Sequence, residues 1–175
     1  MFKYDWVWIK NCPVGFANAK LKPMNRHEII SVFSKGSSAN GGNNNMIYNP
    51  QGLIYCHKSV IPRERKFIDG YKMVHTVRPY VQEYTNYPDT VLVFDKDTEK
   101  LHPTQKPVAL LEYLIKTYSN ENDMILDFTA GSGTTGVACM ELNRKCVLIE
   151  MQEKYCKVIM ERLQEKEKQI AERLF

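Results

Sequence analysis

The hydrophobic pattern changes period several times along the chain, and each change marks an element. Tyr4-Asp5-Trp6-Val7-Trp8-Ile9-Lys10 is rich in aromatic and β-branched residues and predicts a strand. Asn11 to Pro23 carries Gly15 and two prolines and reads as irregular. Glu28 to Phe33 predicts a second strand, stopped by Lys35-Gly36, and Ser37 to Asn45 is a Gly/Asn/Ser loop without apolar periodicity. Met46 to Lys100 shows no clean helix or strand pattern until Thr90 to Phe94, a strand leading back to the core. Val108, Leu111, Leu114, Ile115 and Tyr118 then fall on one helical face, with Thr104 as the expected N-cap and Pro107 in the first turn, where no backbone donor is lost. Met124 to Phe128 reads as a strand buried on both faces whose carboxyl end opens into a cleft. A helix from about Gly133 to Leu142, stopped at Asn143, and a strand from Cys146 to Ile149 follow. The last helix packs Tyr155, Ile159 and Leu163 on the sheet, and its end, with Ile170, Leu174 and Phe175 apolar, is either a solvated extension or a small partner surface. Strands alternating with helices predict an α/β fold.

The chemistry concentrates where Met124 to Phe128 passes into Gly131, Gly133 and Gly136, spaced G-x-G-x-x-G. Two such glycines bring bare backbone against a ligand, the third admits close helix packing, and the following helix offers unpaired N–H groups to an anion. Glu150 ends the next strand, nineteen positions after Gly131, where a carboxylate can accept both hydrogen bonds of a ribose diol. A dinucleotide fingerprint fits poorly, because Asp127 to Ala130 separate strand from glycines and only 25 residues follow Glu150. A Walker loop fails because Val137 stands where lysine is required. What remains is one nucleoside with a compact charged tail. Filling Gly133, as in Gly133→Val, is expected to abolish its binding.

At 175 residues, 43% apolar and 25% charged, the chain suits one domain of a soluble protein. A net charge of +4 permits a nucleic-acid partner without demanding one. The five cysteines, Cys12, Cys56, Cys139, Cys146 and Cys156, form no C-x-x-C pair and read as reduced thiols, mostly core, rather than metal ligands. No apolar run approaches the ~20 residues of a membrane span, and no signal peptide precedes the first strand, so the expected setting is cytoplasmic.

The combination of His102-Pro103-Thr104-Gln105-Lys106-Pro107, then Asp127-Phe128-Thr129-Ala130-Gly131-Ser132-Gly133-Thr134-Thr135, then Ile149-Glu150 resembles the cofactor half of the permuted, beta-class-like amino DNA methyltransferases. The resemblance is carried by Leu101 to Leu163 and extends to Trp6 to Lys35. It implies a Rossmann-like sheet and S-adenosyl-L-methionine as cofactor. It also implies methyl transfer to an exocyclic amine of double-stranded DNA, adenine N6 by family precedent over cytosine N4. On that likeness Asp127 lies near the cofactor's amino group, Thr134, Thr135 and Lys106 near its carboxylate, and Glu150 at its ribose. Thr104, Gln105, Phe128, Thr129, Ala130, Gly131 and Gly133 complete the implied cofactor set. The whole chain, 1–175, is then one partial methyltransferase domain, with 101–163 as the cofactor half and 40–100 as the target-recognition insertion.

That insertion interleaves aromatic and basic residues. Between His57 and Arg78 six Lys or Arg face two acids, and Arg63, Arg65, Lys66, Lys72 and Arg78 are the expected DNA contacts against the plainer reading of a solvated surface. Trp6 and Trp8 read as core rather than base contacts, His102 as positional, and His27 and Glu28 as residues that face either the substrate pocket or the structure. The family's catalytic tetrapeptide, an Asp, Asn or Ser followed by Pro-Pro and an aromatic residue, does not occur in the chain, so the catalytic residues are unknown. In the permuted order it would precede Trp6. The sheet is therefore expected to be incomplete, with an open edge beside Met124 to Phe128. A second polypeptide or another copy of the chain would complete it. The alternatives are a truncated remnant, for instance of a phage or mobile element, and a non-catalytic cofactor- or DNA-binding module.

Overall fold

The computed structural model describes residues 1–35, 46–61 and 79–173. They fall into two compact units, Met1–Asn49 with Asp89–Phe175, and Pro50–Pro88.

In the larger unit, β1 (Phe2–Val14) is the central strand of a sheet ordered β2-β1-β5. β2 (Asn25–Phe33) runs antiparallel to it and pairs Ile30 with Trp6, while β5 (Val91–Val93) runs parallel and pairs Leu92 with Trp8. Alternation along β1 sends Trp6 and Trp8 to the same face, where they are 2% and 1% exposed. Helix α1 (Val108–Tyr118) covers that face with Leu110, Leu114 and Tyr118. The indole N–H groups are both satisfied: Trp8 Nε1 donates to the Phe94 carbonyl at 2.9 Å, and Trp6 Nε1 donates to the Tyr118 hydroxyl, which lies 3.0 Å from that of Tyr4. The core reading of the two tryptophans holds.

Behind α1 lies a second cluster. Val108, Leu111 and Ile115 meet Ala138, Cys139 and Leu142 from α2 (Thr134–Glu141) and its C-cap, with Ile125 and Cys146 beneath. Those two residues come from the parallel pair β6 (Met124–Asp127) and β7 (Lys145–Leu148), in the register Asp127 to Leu148. Asn143, with φ 58°, turns the chain from α2 into β7, as its position in the sequence implies. The expected apolar stripe of α3 (Glu153–Arg173) is present, with Ile159 packed toward Gly133 and Leu163 toward Gly136.

Four expectations need correction. Met124–Asp127 is not buried on both faces, since Met124, Leu126 and the following Phe128 are 60%, 60% and 73% exposed; only the side turned to the helices is covered. Met46 to Lys100 contains two strands that no period announced, β3 (Ile54–Val60) and β4 (Tyr80–Thr85), an antiparallel ribbon forming the smaller unit. Thr104 does not cap α1. Pro107 occupies the N-cap, and the Val108 N–H donates to Asp97 Oδ1 at 3.3 Å. Finally, Cys12 and Cys56 are exposed, Cys139 is buried and Cys146 and Cys156 are half-buried, so the thiols divide between surface and core. No helix among the described residues is long and apolar enough to cross a membrane.

Candidate functional site

The chain leaves β6 at Asp127 and enters α2 at Thr134 through a turn tied to the neighbouring strand at three points. Ile149 N–H donates to the Asp127 carbonyl at 2.8 Å, Ala130 N–H to the Ile149 carbonyl at 3.0 Å, and Gly131 N–H to Glu150 Oε2 at 2.9 Å. Gly131 and Gly133 take φ of +54° and +75°, the left-handed region that favours glycine. A Cβ at Gly133 would also stand 3.0 Å from Ile159 Cγ1, tight enough that Ile159 would have to give way. Asp127 accepts from the Thr129 N–H at 3.0 Å and from the Thr135 hydroxyl. Glu150 accepts a second backbone N–H, that of Gln152, at 2.8 Å. The Gln152 N–H, with that of Gly131, holds the Glu150 carboxyl below its ordinary range.

The loop before α1 lies over this turn. The His102 ring stands 3.5 Å from where a Gly131 Cβ would be, and meets the Tyr155 ring edge-on with centroids 4.3 Å apart. Its Nδ1 accepts from Thr104 N–H at 3.2 Å, so His102 shapes the loop as the positional reading expects. Lys106 Nζ pairs with Glu28 Oε2 at 2.9 Å, and the other oxygen of Glu28 meets the buried Lys10 at 3.3 Å. Burial raises the Glu28 carboxyl, and Lys106 and Lys10 together reverse this, leaving it below the ordinary value.

Of the residues singled out in the sequence, Asp127, Thr129, Ala130, Gly131, Gly133, Thr134, Thr135 and Glu150 come together as one hydrogen-bonded turn between the ends of β6 and β7. Phe128 lies beside it with its ring exposed. Gln105 faces inward, bonded to Leu101 N–H, Ser132 Oγ, Asp97 and the Glu99 carbonyl, and Lys106 is held by Glu28. Arg63, Arg65, Lys66, Lys72 and Arg78 lie outside the described residues.

Three participants were missed: Ser132, Asp97 and Arg162. Ser132 sits between the two glycines and is 2% exposed. Asp97 is hidden in a run of alternating charge that reads as surface. Arg162 lies three positions after Ile159 and one before Leu163, on the buried side of α3, and that placement is a usable signal.

Chemically the turn offers two carboxylates with unused acceptor capacity. A carboxylate presents about four lone-pair sites; Asp127 has two protein donors at its oxygens, and Glu150 has the N–H groups of Gly131, Gln152 and Met151. Cationic or hydroxyl groups of a ligand suit them, while Lys106 and the Thr134 hydroxyl suit an anion; the Thr135 hydroxyl gives its one proton to Asp127. A cavity of about 330 Å³ opens against the 96–105 segment, lined by Lys96, Glu99, Lys100 and His102 among others, but neither Asp127 nor Glu150 reaches it. Among the described residues no group of three or more His, Cys, Asp or Glu is placed to hold a metal.

Comparison with known proteins places this geometry in a lineage. The DNA methylase family profile, that of the N6/N4 methyltransferases, matches residues 1–161. The type II methyltransferase M.HinfI of Haemophilus influenzae is 32% identical over 118 residues, covering 65% of this chain and 32% of that protein. The DNA adenine methyltransferase YhdJ of Escherichia coli K12 is 45% identical over 67 residues, covering 38% of this chain and 23% of that protein. Among solved structures, the M1.HpyAVI-SAM complex superposes with a TM-score of 0.55 at 25% identity, over 93% of this chain and 62% of that one. The cytosine-N4-specific PvuII DNA methyltransferase, at 17% identity and a TM-score of 0.56, shares the fold. The chain thus spans about a third or less of the length of these two curated relatives.

Proposed function

The chain belongs to the N6/N4 DNA methylase family, and from that membership we propose that it is the cofactor-binding and target-recognition part of a permuted, S-adenosyl-L-methionine-dependent DNA methyltransferase. The reaction is methyl transfer to an exocyclic amine of double-stranded DNA, adenine N6. The observation that carries this reading is the pair Asp127 and Glu150, both bonded to a turn whose Gly131 and Gly133 are left-handed.

The residues fit the cofactor's charges. When bound, S-adenosylmethionine supplies an electrophilic methyl group on a sulfonium centre; the chain's own work is to hold it. Glu150 has acceptor capacity left for the ribose hydroxyls and Asp127 for the ammonium. Lys106 and the Thr134 hydroxyl would hold the carboxylate, and Thr135, whose hydroxyl donates to Asp127, would stand beside them and orient that acid. Phe128, Thr129 and Ala130 form the rim, and Thr104 and Gln105 shape the loop above it. A hydrogen bond to a charged group is worth about 1.5–3 kcal/mol, and micromolar affinity needs about 8 kcal/mol, so several contacts act together. The adenine relative in Escherichia coli favours N6 over N4.

The reading includes a polypeptide partner. Met124, Leu126, Phe128, Val147 and Ile149 leave an apolar face 45–73% exposed. Among the described residues β6 pairs with β7 alone and β2 with β1 alone, so each presents an unpaired edge. A strand bearing the Pro-Pro-aromatic tetrapeptide, from a second polypeptide or another copy, would fill such an edge and bring the groups that hold the flipped base. A second reading is a module that binds cofactor or DNA without chemistry. Labelled methyl transfer to DNA separates them. Incorporation only when a fragment carrying the tetrapeptide is added supports the enzyme; DNA binding without transfer in that mixture supports the module.

A further inference from the structure

Arg162 belongs to α3, yet its guanidinium, with the side chain 16% exposed, is turned into the glycine turn. Its Nη1 donates to the Ser132 carbonyl at 3.0 Å, to Ser132 Oγ at 3.3 Å and to Thr134 Oγ1 at 3.1 Å, three acceptors that bracket Gly133. Its Nη2 lies 4.0 Å from Asp97 Oδ2. That oxygen also accepts from Gln105 Nε2 at 3.1 Å, and Gln105 Oε1 in turn accepts from Ser132 Oγ at 3.1 Å. The result is a closed ring, Arg162 to Ser132 to Gln105 to Asp97 and back. It joins α3, the glycine turn, the loop of His102 to Pro107 and, through the bond from Val108 N–H to Asp97, the start of α1.

A largely desolvated guanidinium is tolerated only while its acceptors stay in place, and its planar fork fixes their relative positions. Any rearrangement of Ser132 to Thr134 strands it. We propose that Arg162 is a positioning residue for this turn: it holds Ser132 and Thr134 about Gly133 in the ligand-accepting shape and, through Asp97 and Gln105, couples the turn to the loop above it. The ligand is S-adenosylmethionine, so this deepens the reading of the same site and rests on it.

Two measurements on the full chain test the assignment. In amide hydrogen exchange without ligand, Arg162→Leu should speed exchange tenfold or more at Ala130 to Thr135 and at His102 to Val108, leaving β1 and β2 unchanged. In calorimetry the same variant should raise the Kd for S-adenosylmethionine at least tenfold. Arg162→Lys, which keeps the charge but not the fork, should fall between it and the wild type. Lys157→Ala, on the same helix in a surface pair with Glu153, should match the wild type in both. Unchanged exchange, exchange raised evenly across the unit as in general loosening, or wild-type affinity in both Arg162 variants would overturn the proposal. If the leucine variant does not fold, the lysine variant decides on the same criteria. A wild-type chain that fails to bind the cofactor retires the functional reading, and the exchange pattern alone then decides whether Arg162 positions the turn.

Discussion

A Cβ at Gly136 would fall 2.8 Å from Leu148 Cδ1 and 2.9 Å from Leu163 Cδ2, so where α2 meets β7 and α3 the ends of both leucine side chains would have to shift to admit one. Gly136→Val should lower the unfolding free energy by about 1–3 kcal/mol through overpacking, read as a shifted urea midpoint at constant slope. An unshifted midpoint would mean that the three elements part freely. The sequence foresaw this role for the third glycine. At the second, a side chain at Gly133 would meet Ile159 and strain a left-handed residue, so Gly133→Val tests the turn together with the ligand. Glu28 was legible only as a residue of two readings, because its partners Lys10 and Lys106 are distant in the chain. Its folded carboxyl lies below its unfolded value, so the pairing contributes stability that is fully present above about pH 4.3 and is lost as pH falls through the folded value. Glu28→Gln should therefore flatten the dependence of stability on pH below about 4.3. Curves for variant and wild type that stay parallel to pH 3 would show that the pair contributes nothing.

At the scale of elements, legibility followed burial. β1 and β2 were found because Trp6, Trp8, Ile30 and Val32 pack on a core, and α2 because the glycine turn announces its start. β3 and β4 were missed because nearly all their side chains face solvent, and a strand without a buried face has no alternation to detect. The start of α1 was misplaced because its capping acceptor, Asp97, lies eleven residues upstream rather than in the adjacent turn. β6 was found but given two covered faces, since an apolar run carries no information about which of its faces has a neighbour. Leu126→Lys tests that bare face. With Leu126 60% exposed, stability should change by no more than about 0.5 kcal/mol, read as the shift of the urea midpoint. Loss of folding would show that the face is buried after all.

At the scale of the molecule the sequence motifs pointed to the amino DNA methyltransferases, and the family match over residues 1–161 agrees with that; that the chain is one half of such an enzyme is our proposal. The basic run from Arg63 to Arg78 was legible as charge alone, and the proposal that it takes part in target recognition rests on that charge. Arg65→Ala should weaken DNA binding and reduce its salt dependence, by about one phosphate's share of the slope, while leaving cofactor affinity unchanged; equal loss of both would contradict the division between the two regions. The account stands most directly on its cofactor. Calorimetric titration of the purified chain with S-adenosylmethionine, and with NAD in parallel, should give saturable binding of the former alone. A folded chain that binds neither, or that binds NAD, would contradict the assignment of Asp127, Glu150 and the turn between them.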